Sequence, residues 1–370
     1  MRVEAISAVS ATRGHAPSLD GIQIMRAAAA TAVVFTHSIT RVSMSINADS
    51  SGSYFKTCDG NQWVIGDFGV DLFFVISGFV MFYAHRSDFG VSGSTRSFMI
   101  KRLVRIVPLY WLLTSLAVFI ITLAPDVFSN GRELDVLWYI SSYLFIPFPS
   151  PSGVVAPVVG VGWTLNYEFM FYYLFGLSLR FQRATALKLI TLVLAALTLV
   201  GRMRFGDSQL LDFYTSWLFC DFLGGVWVAW VIVNCRPLGP IPRRVLFSIS
   251  VGIIMYTAFW PPSETDVSRF IFWGLPSILI VLVSCEYRAP LIGGLMARQI
   301  GAASYSIYLS QVFSLPFWAK IISLSFIKTL PFDCVVLILT SLVTISGFLV
   351  WIAIERPMTQ FVRNKVLSSR

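Results

Sequence analysis

The chain has 370 residues, of which 56% are hydrophobic and only 13% are charged, whereas soluble domains carry about 25% charged residues. This composition excludes an ordinary soluble domain and favours helices that face lipid or one another. The net charge of +9 comes from basic residues in short segments between apolar runs, which indicates membrane topology rather than nucleic-acid binding. Three histidines and five scattered cysteines without a Cys-x-x-Cys pair exclude a histidine-rich metal site and predict neither a zinc site nor a redox pair.

Ten apolar runs predict membrane-spanning helices, several of them short and expected to extend into their flanks. They lie near residues 22–40, 68–84, 103–123, 163–180, 185–200, 210–233, 245–260, 270–285, 300–325 and 332–354. The first run resembles a signal peptide over 27–35. Because Arg26 leads straight into it and it continues through His37 without a small-x-small cleavage pattern, we interpret it as an uncleaved span.

The segment 137–147 is also apolar, but Pro147, Pro149 and Pro151 cut it off. We therefore predict an interfacial helix or loop there. No run alternates as the strands of a membrane barrel would, and backbone groups in lipid must be paired internally. The predicted fold class is therefore all-α, a polytopic integral membrane protein.

Lysine and arginine counts test this layout. With the N-terminus inside, the inner loops and tails hold 19 of the 28 basic residues, the outer loops hold 7, and Arg26 and Lys320 lie within spans. Inside-positive bias therefore predicts ten crossings with both termini cytoplasmic. We divide the chain into a cytoplasmic segment 1–21, a membrane domain 22–355 and a basic cytoplasmic tail 356–370.

Four ionisable side chains lie inside apolar runs: Arg26, His37, Asp71 and Glu168. A charge within a membrane segment costs several kcal/mol unless it is paired or solvated, so a functional role is the default explanation. Arg26 and His37 are eleven residues apart and share one helix face, about 16 Å apart along the axis. The alternative is that His37 makes an interhelical hydrogen bond and Arg26 reaches the inner interface.

Arg102 and Arg105 share a face at the inner start of the third predicted helix. Two arginines on one face form a bidentate phosphate site, but the same residues also serve as positive-inside anchors, and their spacing does not separate these roles. Glu168 is predicted to lie against Tyr172, four residues later. In this layout Glu168 falls in the outer half of the membrane with His37 and Asp71, and the arginine pair falls at the inner mouth.

Five segments in order resemble the membrane acyltransferase-3 family, most closely its exopolysaccharide acetyltransferase branch. They are residues 22–37, 68–81, 101–111, 163–172, and 304–309 followed by 355–357. The resemblance implies about ten transmembrane helices in a bacterial inner membrane and transfer of an acyl group from acyl-CoA to a carbohydrate. It also implies that His37 is the essential histidine and that Arg102 and Arg105 form the donor-side basic motif.

One departure from the family pattern is Gln311, where many members have histidine. A glutamine can hydrogen-bond but cannot shuttle protons at neutral pH, so we assign it no catalytic role.

The mechanism that we expect uses His37 as the general base for a sugar hydroxyl. Asp71 or Glu168 would orient its imidazole, by the logic of a catalytic triad. The phosphates of acyl-CoA, most simply acetyl-CoA, would bind Arg102 and Arg105, with Arg26 also assigned to this donor. The side chains assigned to substrate contacts are Trp163, Tyr167 and Tyr305.

Several alternatives stay open at this level. A transporter or exporter of a polysaccharide intermediate or solute would also bury arginine, aspartate and histidine, and a scaffold for polysaccharide assembly would need no chemistry. The acceptor is a cell-surface glycan or a lipid-linked saccharide, and the group moved is acetyl, succinyl or another short acyl group. The sequence also leaves open whether His37 is itself acylated and whether the acyl group crosses the membrane. Membrane lipids are the other expected partners, and nucleic acid is not.

Overall fold

The computed structural model describes residues 20–46, 53–55, 63–123, 135–203, 208–262, 266–285 and 291–367. Across these ranges the regular structure is helical, and β-pairing is limited to an isolated bridge between Pro149 and Val155. The prediction of an all-α fold is therefore confirmed. Most of the predicted N-terminal segment, residues 1–19, lies outside the described residues.

The helices, in chain order, are α1 (Asp20–Ser45), α2 (Gly66–Ala84), α3 (Ser94–Leu123), α4 (Val136–Tyr143), α5 (Trp163–Ser178), α6 (Arg183–Arg202), α7 (Gln209–Tyr214), α8 (Leu218–Asn234), α9 (Pro240–Phe259), α10 (Asp266–Arg269), α11 (Leu275–Ser284), α12 (Leu291–Leu324), α13 (Phe332–Val350) and α14 (Arg356–Leu367). A π-helical turn, Phe270–Gly274, joins α10 to α11, and a second, Trp351–Glu355, joins α13 to α14. Such turns are frequent at functional sites, and both lie beside charged side chains described below.

Nine helical stretches in the described ranges are long and apolar enough to cross a membrane. The tenth predicted span, 163–180, is α5, which has only 16 residues and rises about 24 Å against a hydrocarbon core of about 30 Å. The prediction of about ten helical spans, several of them short, is therefore confirmed, with nine helices of spanning length and one short helix at the predicted position. The 3-10 turn Gly160–Gly162 precedes α5, which begins at Trp163 as predicted.

The apolar segment 137–147 contains α4, a helix of eight residues. Such a helix rises about 12 Å, which is too short to cross a bilayer. The side chain of Asp135 caps its first turn by accepting the backbone N–H groups of Leu137 and Trp138. The sequence prediction that this segment does not form a span is therefore confirmed.

Small residues bring the central helices into backbone contact. A Cβ atom added at Gly225 of α8 would lie 1.9 Å from the carbonyl oxygen of Val75 in α2, and one added at Gly78 of α2 would lie 2.0 Å from that of Phe222. At Gly301 of α12, an added Cβ would lie 2.1 Å from the carbonyl oxygen of Gln23 in α1. Close approach of this kind is how membrane helices gain packing energy, and it holds α1, α2, α8 and α12 around the polar groups of the interior.

Candidate functional site

An open cavity of about 130 Å³ lies among α1, α2, α3, α5 and α12. The apolar part of its wall comes mainly from α2. The polar and aromatic side chains that line it are Arg26, Ser77, Arg102, Arg105, Thr164, Glu168, Tyr172, Ser304, Tyr305 and Tyr308.

Three arginines face this cavity. Arg26 of α1 donates from Nη2 to the Ser304 hydroxyl at 2.9 Å. The Arg102 guanidinium lies over the ring of Tyr172, 5.7 Å from its centroid, and its buried Nε has no hydrogen-bond partner among the described residues. Arg105 lies one turn further along α3. Glu168 in the wall, and Glu355, which interacts electrostatically with Arg26 and Arg105, oppose these three arginines and leave a net formal charge of +1, which suits an anionic ligand.

Glu168 is the acidic member of the cavity wall. It accepts a hydrogen bond from the Ser77 hydroxyl at 2.8 Å and a short one from the Tyr172 hydroxyl. The predicted contact between Glu168 and Tyr172 is therefore confirmed. Because the Tyr172 ring also faces Arg102, the carboxylate, the phenol and the guanidinium form one connected polar strip along α5 and α3.

His37 lies outside this cavity, further along α1 than Arg26. Its Nδ1 lies 2.9 Å from Oε1 of Gln311, whose Nε2 donates to the carbonyl oxygen of Tyr308 at 2.8 Å. We expected Asp71 or Glu168 to orient this imidazole, but the group in contact with it is the neutral amide of Gln311. The two carboxylates have other partners: Glu168 accepts from Ser77 and Tyr172 in the cavity wall, and Asp71 accepts from Arg269.

Tyr308 links the cavity wall to His37 through Gln311. Its side chain lines the cavity with Phe73, and its backbone carbonyl oxygen accepts from the Gln311 amide that contacts the imidazole. Its hydroxyl donates to the carbonyl oxygen of Val161 at 2.9 Å and accepts from Thr164 at 3.2 Å. Its ring makes an edge contact with Phe73, with centroids 6.0 Å apart.

The three histidines of the sequence differ in their surroundings. His15 lies outside the described residues. His85 follows α2 directly, and its Nδ1 lies 2.7 Å from a carboxylate oxygen of Asp88. Burial lowers the pKa of His85, and the hydrogen bond with Asp88 opposes that shift. Of the two histidines that the structure describes, His37 is thus the one that lies within a spanning helix and is joined to the cavity wall through Gln311 and Tyr308.

Asp71 lies in a second polar cluster, between α2, α8 and α10. Its side chain is fully buried, and its two carboxylate oxygens accept from Nη2 and Nε of Arg269 at 2.6 and 3.3 Å. Asp221 of α8, also buried, lies beside the pair. The Arg269 guanidinium further contacts the ring of Trp273 at 5.3 Å. Asp71 therefore neutralises an arginine and is not in contact with the imidazole.

The three side chains assigned to substrate contacts separate into two groups. Tyr305 lines the cavity, and its hydroxyl donates to the carbonyl oxygen of Ile106 at 2.8 Å. Tyr167 instead stacks on Phe213, with centroids 3.8 Å apart, and Trp163 packs against Tyr167 at 5.8 Å. Trp163 and Tyr167 thus belong to the aromatic packing around α5 rather than to the cavity wall.

Sequence reasoning missed two charged residues of the interior. Asp221 lies within an apolar run, so the signal that singled out Asp71 was also present there. Arg269 was counted with the outer loops, but it lies at the end of α10 and points to Asp71. The pair is 198 residues apart in sequence, so no local pattern could join the two.

Comparisons with known proteins identify a family and two relatives. The profile of a family described as an acyltransferase domain matches residues 19–355. The exopolysaccharide production protein ExoZ of Rhizobium meliloti (strain 1021) is 31% identical over 304 residues, which cover 81% of this chain and 91% of ExoZ. The peptidoglycan O-acetyltransferase OatA of Listeria monocytogenes serovar 1/2a is 24% identical over 333 residues, 80% of this chain and 49% of OatA. No solved structure matches the chain.

Proposed function

Because this chain belongs to the membrane acyltransferase-3 family, and is therefore a multi-pass membrane acyltransferase, we propose that it moves an acyl group, most simply acetyl, from acyl-CoA to a hydroxyl of a cell-surface glycan such as exopolysaccharide. The relatives support the acceptor class, since one is named for exopolysaccharide production and the other for O-acetylation of peptidoglycan. A lipid-linked saccharide intermediate is the other form in which such a glycan would reach the enzyme. The membrane is the inner membrane of a bacterium, with both chain termini on the cytoplasmic side.

The observation that carries the donor assignment is the arginine-lined cavity. Coenzyme A bears several phosphate oxygens, and guanidinium groups bind phosphate through paired N–H donors. Arg102 has a buried Nε without a partner among the described residues, so it has donor capacity to offer an anion. Arg105 and Arg26 line the same space. The donor phosphates would bind there, at the cytoplasmic side of α3, and the thioester arm would extend along the cavity.

His37 is the proposed general base. It takes the proton of the acceptor hydroxyl as that oxygen attacks the thioester carbonyl. The new bond joins the hydroxyl oxygen to the acyl carbon, the carbon–sulfur bond breaks, and the proton passes from the imidazole to the departing thiolate. The reaction therefore yields an ester and free coenzyme A with no net change of the protein.

The proposed mechanism must span the distance between Arg26 and His37 along α1. Arg26 and His37 are eleven residues apart, about 16 Å along the axis. The cavity covers part of that length, from the arginines to Tyr308 and Phe73. We propose that the arm of the donor occupies this length and that the acceptor reaches His37 from the outer side. A shift of the Tyr308 and Phe73 side chains would then join the two substrates.

One experiment tests the donor site. A deletion strain would be complemented with the wild type, with R102Q/R105Q, and with K101Q as a matched control, because Lys101 is an exposed cation on the same helix outside the cavity wall. Proton NMR of the surface polysaccharide would measure O-acyl groups. We expect the O-acyl signal to be absent without the gene, restored by the wild type and K101Q, and absent or strongly reduced with R102Q/R105Q at equal protein levels. A deletion strain with unchanged O-acyl content would contradict the proposal.

A further inference from the structure

We propose that Gln311 is a positioning residue that holds His37 in the tautomer protonated on Nδ1 and so leaves Nε2 as the proton acceptor. This inference rests on the proposed role of His37 as the base. Gln311 is 1% exposed, and both ends of its side-chain amide are engaged. Its Oε1 lies 2.9 Å from Nδ1 of His37, and its Nε2 lies 2.8 Å from the carbonyl oxygen of Tyr308.

The contact with Tyr308 fixes which way the amide faces. A backbone carbonyl oxygen only accepts hydrogen bonds, so the amide nitrogen of Gln311 must face it. The amide oxygen then faces His37, and an amide oxygen also only accepts. Nδ1 must therefore carry a proton, since the opposite assignment would set oxygen against oxygen at Tyr308.

The consequence concerns the other ring nitrogen. In a neutral imidazole with its proton on Nδ1, the lone pair lies on Nε2. A general base needs that lone pair directed at the hydroxyl it deprotonates. With Gln311 bound to Nδ1, Nε2 is the nitrogen that is left to deprotonate the hydroxyl of the glycan. The arrangement gives an amide the orienting role that a carboxylate has in a catalytic triad.

The ring also has a charged neighbour. Asp67 of α2 interacts electrostatically with His37 and lies beside Arg269, which donates to its backbone oxygen. The start of α2 is fixed to α1 because the Gly66 N–H donates to the Thr36 hydroxyl at 2.7 Å. None of these contacts involves Gln311, so we expect Asp67 to stay in place when Gln311 is changed.

The kinetic test uses full-length protein in proteoliposomes with acetyl-CoA and purified glycan. Q311L removes the hydrogen-bond acceptor for Nδ1 of His37, and we expect kcat to fall about tenfold or more while KM for acetyl-CoA stays unchanged. Q311E restores a hydrogen-bond acceptor that carries a full negative charge, so it should retain activity. Because a carboxylate stabilises the imidazolium, Q311E should also move the acidic limb of the kcat/KM profile to higher pH. The matched control is S310A, since Ser310 is a buried neighbour on α12 whose hydroxyl has no partner in the described chain.

A second readout measures the tautomer directly. In an H15Q/H85Q background His37 is the remaining histidine, and nitrogen-15 solid-state NMR of labelled histidine distinguishes a proton on Nδ1 from one on Nε2. We expect Nδ1–H in the neutral ring of the wild type and a loss of this preference in Q311L. Nε2–H in the wild type, or a Q311E profile that does not move, would overturn the inference even if Q311L failed to fold. Neither result would remove the acyltransferase function, whereas full activity in H37Q would refute the base itself.

Discussion

Individual charged side chains in the interior fall into two clusters with different partners. Arg26, Arg102 and Arg105 share the cavity with Glu168, and positive charge stays in excess even with Glu355, which interacts with Arg26 and Arg105. Asp71 and Arg269 instead form a bidentate pair with Asp71 fully buried and Asp221 beside it. An open site with excess positive charge is suited to an anionic ligand, and a closed cluster is suited to fixing helices. We therefore assign binding to the first cluster and architecture to the second.

The architectural role of the Asp71–Arg269 pair is testable with a double-mutant cycle. Removing either partner leaves a buried charge, which costs about 3–5 kcal/mol, so D71N and R269Q should each strongly lower the thermal unfolding midpoint in detergent. The double variant D71N/R269Q should recover part of that loss, because neither member of the pair is then charged without the other, while the neighbouring Asp221 is the same in every variant. The partly exposed pair of Asp20 and Arg298, 3.1 Å apart, serves as the control and should couple by only about 0–1 kcal/mol. Equal coupling in the two cycles would argue against the assignment.

The sequence predicted which charged side chains lie in the interior better than it predicted their partners. Apolar runs interrupted by charge singled out Arg26 and Glu168, and both line the cavity with the arginine pair. The Gln311 partner of His37 was not predictable, because the two residues are 274 positions apart and meet only when the helices pack. Trp163, assigned to substrate contacts, instead packs against Tyr167.

Helices in this bundle are positioned by glycines at their contacts. Gly225 of α8 lies against the backbone of α2, so G225A would place a Cβ atom 1.9 Å from the Val75 carbonyl oxygen and force the helices apart. We expect a destabilisation of about 1–3 kcal/mol and lower activity, because α2 carries Ser77 and Phe73 of the cavity wall. The control is G252A on α9, where an added Cβ meets nothing within 4 Å. Wild-type thermal stability in G225A would contradict this packing.

The element boundaries show what periodicity and charge can resolve. Long apolar runs gave the positions of nine helices that can cross a membrane, because lipid demands length and internal hydrogen bonding. The short helix α5 begins at the predicted residue, Trp163, and ends at Ser178, two residues before the predicted end. The π-helical turns at Phe270–Gly274 and Trp351–Glu355 could not be predicted from the sequence either, because they depend on tertiary packing.

The whole molecule places a basic cavity and a histidine along one helical axis. Arg26 and His37 lie on α1, and the polar residues of α12 between Ser304 and Gln311 accompany them. This arrangement suits an enzyme that takes an anionic donor at one side of the membrane and presents its acyl group to an acceptor toward the other. The basic residues that flank the helices predict that the arginine end of the cavity lies on the cytoplasmic side, where we propose that the donor binds.

The most direct measurement is the transfer of labelled acetyl from acetyl-CoA to purified glycan by the reconstituted protein, compared between the wild type and H37Q, with donor binding measured on the same samples. We predict that H37Q binds acetyl-CoA as the wild type does and that its transfer rate falls by about 10²–10⁴-fold, the usual contribution of a general base. Transfer by H37Q at the wild-type rate would contradict the account.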